Sequence, residues 1–60
     1  MALPNDPVML ACVINTKLRD DFSSFEELCG DLDEDRAVLE AKLDEAGFFY
    51  DEQLNRFVKR

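Results

Sequence analysis

The chain has 60 residues, 47% of them apolar, and a formal net charge of −7. That length holds one domain, residues 1–60, with a thin core, and an apolar fraction that includes six aromatic rings is too high for a disordered chain. The acidic balance disfavours nucleic acid and anionic lipid as partners, and the longest apolar run, Val8 to Ile14, is too short to span a bilayer.

Asp6-Pro7 opens the first helix. The Asp side chain accepts an orphan amide, and proline suits the first helical position because its missing donor is not needed there. The helix is predicted to run to about Arg19, which places Lys17 and Arg19 in its last turn, where positive charge suits the dipole. Leu10, Ile14 and Leu18 form its inward stripe with Val13 beside them, while Val8, Met9 and Cys12 make the first turns apolar nearly all round.

Ser24 and Glu27 form a capping box that opens a second helix, with Phe25, Leu28, Cys29 and Leu32 facing the core and Gly30 and Asp31 weakening its end. Asp33 is predicted to cap a third helix, with Glu34 and Asp35 in its first turn, Leu39, Leu43 and Ala46 inward, and Gly47 as its stop. The tail then changes period. Phe48-Phe49-Tyr50, a polar loop from Asp51 to Asn55, and Arg56-Phe57-Val58 read as a short hairpin, with Phe48, Tyr50 and Phe57 inward and Phe49 outward. The fold class is therefore mainly α: a three-helix, helix-turn-helix-like bundle with a short C-terminal β-hairpin.

A helix-turn-helix outline raises the question of DNA binding, and charge answers it. Residues 20–52 carry thirteen acids against Arg36 and Lys42. The outward arc of the third helix reads Glu34, Ala37, Ala41, Asp44 and Glu45, whereas base edges and phosphates require Arg, Lys, Asn or Gln. Asp31, Asp33 and Asp35 alternate as in a calcium loop, but Arg36 and Lys42 stand where that loop needs Gly and Glu. The sequence holds no His, no phosphate-binding Gly-rich loop and no nucleophile elbow, so neither an enzyme nor a bound metal or other cofactor is expected. Cys12 and Cys29 are expected as free, buried thiols in a cytoplasmic protein.

The candidate interface is the side of the first helix bearing Val8, Cys12, Asn15 and Arg19, with exposed Phe49 as a possible extension. It combines an apolar patch with hydrogen-bonding heads, as an interface core and rim do. The alternative for the same residues is that the chain's own hairpin covers Val8 and Cys12.

The chain resembles a family of short bacterial proteins catalogued as domain of unknown function 4250. Leu3-Pro4-Asn5-Asp6-Pro7, Asn15-Thr16-Lys17-Leu18-Arg19-Asp20, Ser23-Ser24 with Glu27-Leu28-Cys29, and Tyr50-Asp51-Glu52 with Asn55-Arg56-Phe57-Val58 carry the resemblance. It implies a stand-alone protein and no particular activity. The residues favour a non-enzymatic module for protein–protein contact or self-association, with a protein partner or a homodimer and no membrane or autonomous nucleic-acid binding. The alternative is a helix-turn-helix-like nucleic-acid-associated regulator inside a larger assembly, using Lys17, Arg19, Arg56, Lys59 and Arg60.

Overall fold

A computed structural model of the chain describes residues 3–60. Three helices, α1 (Pro7–Asp20), α2 (Phe25–Leu32) and α3 (Arg36–Glu45), precede an antiparallel hairpin of β1 (Phe48–Asp51) and β2 (Arg56–Lys59). The molecule is mainly α, with the hairpin packed against the helices.

Each helix begins at an extended residue whose side-chain oxygen takes an orphan amide. Asp6 accepts from the Val8 N–H, Ser24 from the Glu27 N–H, and Asp35 from the Ala37 N–H. The capping box at α2 is half formed, because the Glu27 carboxylate turns back to accept from the Ser23 hydroxyl at 2.7 Å.

Asp33 does not cap α3. It sits at φ 56° just beyond α2, where its N–H and that of Glu34 return to the Gly30 and Cys29 carbonyls. This is the Schellman closure of α2, at a position that short polar side chains tolerate. Gly30 and Asp31 accordingly stay helical, and α3 starts two residues later than Asp33 would have set it. Glu34 lies in the connector and not on the outward arc of α3. Gly47, at φ 85°, ends the third helix as expected, and its carbonyl accepts the Arg60 N–H at 2.8 Å.

The core is assembled from Leu10, Ala11, Ile14 and Leu18 of α1, Phe25, Leu28 and Cys29 of α2, Leu39 and Leu43 of α3, and Phe57 of β2. At its centre the Phe25 and Phe57 rings meet edge to face, 4.8 Å between centroids, and Tyr50 leans on both. Such pairs add about 1 kcal/mol to what burial alone contributes. The register Tyr50↔Phe57 and Phe49↔Val58 puts Phe48, Tyr50 and Phe57 on the inner face of the hairpin and leaves Phe49 outside.

Two asparagines tie this hairpin to the helices. Asn15 of α1 accepts the Phe57 N–H at 2.7 Å and donates to the Phe57 carbonyl at 3.0 Å. Asn55, at φ 52°, donates to the carbonyls of Leu18 and Phe22 at 3.2 and 3.1 Å, satisfying groups at the end of α1. The Tyr50 hydroxyl donates to the Asn55 Oδ1 at 2.6 Å and accepts the Phe25 N–H at 3.3 Å. One short network thus joins the end of α1, the start of α2 and the hairpin turn.

Asn15→Ala strands the Phe57 peptide group against α1 and is expected to cost about 2–3 kcal/mol, a large share of the ~3–5 kcal/mol such a small core supplies. Asn55→Gly keeps the positive φ and loses the hydrogen bonds, whereas Asn55→Ala loses both, so Ala should be the more destabilising by about 1 kcal/mol. Urea titrations followed by far-ultraviolet circular dichroism check both; equal midpoints for Asn15→Ala and the native chain would contradict the clamp.

Candidate functional site

The outward side of α1 is bare. Val8 and Met9 are 50% and 58% exposed, and Cys12, Thr16 and Arg19 are also exposed. The hairpin does not cover Val8 and Cys12: it docks through Asn15 and Leu18 on the C-terminal half of α1, to one side of the outward arc. Cys12 is therefore a solvent-facing thiol and not the buried one expected, while Cys29 is buried and both are free. Cys12 lies on the arc opposite Leu10, Ile14 and Leu18, which already fill the core side.

The remaining candidates separate. Asn15 shares an edge with Cys12 on the helix wheel, but its amide oxygen and nitrogen are both engaged by Phe57, so it works inside the chain and is not a free rim group. Arg19 points outward and pairs in forked geometry with its neighbour Asp20, at 3.0 and 3.1 Å. That bond raises the guanidinium pKa and lowers the carboxyl pKa. Phe49, 41% exposed, sits on the outer face of the hairpin beside Val58. Three exposed apolar residues were not among the candidates, Met9, Val38 of α3 and Leu54. Met9 was legible in principle, since it lies one turn before Cys12 on the same arc.

Between α1 and the hairpin loop runs an open groove of about 460 Å³, lined by Asn15, Thr16, Leu18, Arg19, Leu54, Asn55 and Arg56. Its polar lining is mostly occupied: both asparagine amides serve the clamps, Thr16 donates to the Cys12 carbonyl, and Arg19 holds Asp20. Several cations elsewhere are held in the same way, whereas Lys17, Lys42 and Arg56 form no ion pair among the described residues. Arg36 donates to Glu40 at 2.5 Å and Glu26 at 2.9 Å and lies 5.6 Å above the Phe25 ring. Arg60 pairs with Asp44 on α3, and Lys59 lies over Phe48. On the outward arc of α3, Ala37, Ala41, Asp44 and Glu45 carry carboxylates and methyls and Arg60 pairs with Asp44, while Val38 and Lys42 are exposed to either side. Among those residues no group of three His, Cys, Asp or Glu side chains is placed to hold a metal ion, and no helix is long and apolar enough to cross a membrane.

Residues 4–57 match the model of a protein family described as Domain of unknown function (DUF4250). No curated protein and no solved structure matches the chain.

The two thiols give a direct check on this geometry. Cys12 should react with an aromatic disulfide reagent at the rate of a small free thiol, and Cys29 only once urea unfolds the chain. Burial, first among the influences on it, pushes the Cys29 thiol above its ordinary pKa of 9.0, with Arg36 opposing. A raised pKa in the folded state stabilises the fold fully below the ordinary thiol value. The contribution is lost as pH rises through that value toward the folded one. Cys29→Ala should therefore lose less stability than the native chain between neutral and alkaline pH, whatever its offset at pH 7. Parallel urea midpoints across that range would contradict the assignment.

Proposed function

The chain belongs to the DUF4250 family, and from that premise we propose that it is a non-enzymatic module that acts by docking a protein surface on the outward side of α1. The observation that carries this reading is the composition of that side: Val8, Met9 and Cys12 stand uncovered on a helix without a carboxylate between Pro7 and Arg19. Elsewhere carboxylates are dense, with thirteen in residues 20–52. Uncovered apolar side chains beside polar groups and a basic end are the make-up of a contact surface.

The absence of histidine and the commitment of Asn15, Tyr50 and Asn55 to internal hydrogen bonds favour a binding role over catalysis. A nucleic-acid role would draw on Lys17, Arg19, Arg56, Lys59 and Arg60. Arg19 and Arg60 are neutralised by Asp20 and Asp44, and Lys59 rests on a ring. That leaves Lys17 and Arg56 as the unpaired bases of this set among the described residues, few for a phosphate backbone.

A photo-crosslinking amino acid placed at Met9, compared with one at Ala41 on the acidic side of α3, tests the reading in the cells that express the protein. Adducts to protein are expected from Met9 and not from Ala41. Adducts from neither position, or equally from both, would remove α1 as the docking face.

A further inference from the structure

We propose that α1 pairs with α1 of a second copy of this chain, antiparallel about a two-fold axis passing beside Cys12. This names the occupant of the face described above and rests on that reading.

The outward stripe of α1 is Met9, Cys12, Thr16 and Arg19, and all four are exposed. Their alternating spacing of three and four residues is that of a seam between two helices. It is separate from the inward stripe of Leu10, Ile14 and Leu18, which the core consumes. Val13, half-buried, borders the seam. Met9 is a flexible knob, and Cys12 and Thr16 are small enough for a second helix to approach closely.

Charge selects both the occupant and the orientation. Two chains of net charge −7 repel over most of their surface and can approach through α1, which carries no carboxylate between Pro7 and Arg19 and whose Asp20 is held by Arg19. Asp6 and Lys17, three turns apart, lie along one edge of the seam. An antiparallel two-fold sets this edge of each copy against the same edge of the other, so that Asp6 lies beside Lys17. A parallel two-fold would leave the two edges on opposite sides of the seam and the charges unpaired. Neither side chain has an ion-pair partner of its own among the described residues. The two helix dipoles also oppose in the antiparallel arrangement. With Met9 facing Thr16 of the second copy and Cys12 facing Val13, the two Cys12 thiols fall close to the axis.

The chain exposes 3951 Å², and a standard interface takes about 800 Å² per partner, on the order of a fifth of it. One helical seam buries less, so the pair is a weak, concentration-dependent equilibrium.

Sedimentation equilibrium from micromolar to millimolar chain tests this. The mass-average should rise from 6.9 kDa toward twice that value. A short bismaleimide should join the native chains through Cys12, and Cys12→Ser should abolish the product. Met9→Asp should weaken association about tenfold or more, and Asp6→Asn, which keeps the helix cap, should weaken it less. Orientation is read by moving the thiol in the Cys12→Ser background: a mixture of Met9→Cys and Thr16→Cys chains should crosslink more than either alone. Preferential crosslinking within the Met9→Cys chains would overturn the antiparallel pair. A mass of one chain throughout, with no crosslinking, would overturn the pair itself. If that monomer still gives Met9-dependent adducts to another protein, the docking face stands without self-pairing; if it gives none, both fall.

Discussion

The peptide group of Phe57 governs how this small molecule closes. Phe57 is the one fully buried residue of the hairpin, and its backbone N–H and carbonyl face α1, where no third strand is available to receive them. Asn15 supplies the missing partner, its side-chain amide accepting and donating as another peptide would. A buried peptide left unpaired costs about 1–3 kcal/mol, a loss that a core of this size could hardly bear. Asn55 performs the reciprocal task at the other end of the hairpin, taking a positive φ that few residues accept and donating to the open carbonyls of Leu18 and Phe22. A two-stranded hairpin is unstable alone, and these two side chains together with the Phe25–Tyr50–Phe57 ring cluster are what attach it.

The same economy determines what is left outside. Asparagines in the groove between α1 and the hairpin would ordinarily suggest a polar binding site, yet their amides already face backbone. Arginines on an otherwise acidic surface would ordinarily suggest anion capture. Arg36 is instead divided between Glu26, Glu40 and the Phe25 ring, and Arg19 and Arg60 each hold a carboxylate. On α1 the exposed side chains without internal partners include Val8, Met9 and Cys12, and these lie along one side of the helix.

Period and capping chemistry carried most of the architecture in the sequence. Asp6-Pro7, Ser24 and Gly47 act where their chemistry demands, and the inward stripes of α1 and α2 are those that the i, i+4 pattern marks. The Asp31–Asp35 run was ambiguous for a physical reason. Aspartate serves equally as an N-cap and as a left-handed C-terminal residue, and only the return of the Asp33 and Glu34 amides to α2 decides between them. Burial of Cys12 was overestimated because a thiol on an apolar helix reads as core, whereas its exposure depends on where the hairpin lies. That in turn hangs on Asn15 and Asn55, forty residues apart in sequence, and a long-range amide-to-backbone bond leaves no periodic trace. Asn15 was legible as a polar residue at the edge of an apolar face, but not as one turned inward.

Chain geometry argues that the bare side of α1 is a fixed consequence of the fold. The 14 residues of α1 extend about 21 Å, while the four residues of β2 reach about 13 Å. The hairpin turn is anchored at Leu18, at the far end of the helix, and β2 then passes Asn15 on one side of it. Arg60 is drawn away to Gly47 and Asp44, at the end of α3, so β2 leads toward the third helix and not over the first turns of α1. With both clamps made, the hairpin lies away from Val8, Met9 and Cys12, which stay exposed. The acids that crowd residues 20–52 leave the stretch of α1 from Pro7 to Arg19 as a side of the molecule poor in carboxylates, where the self-repulsion of a chain of this charge is weakest.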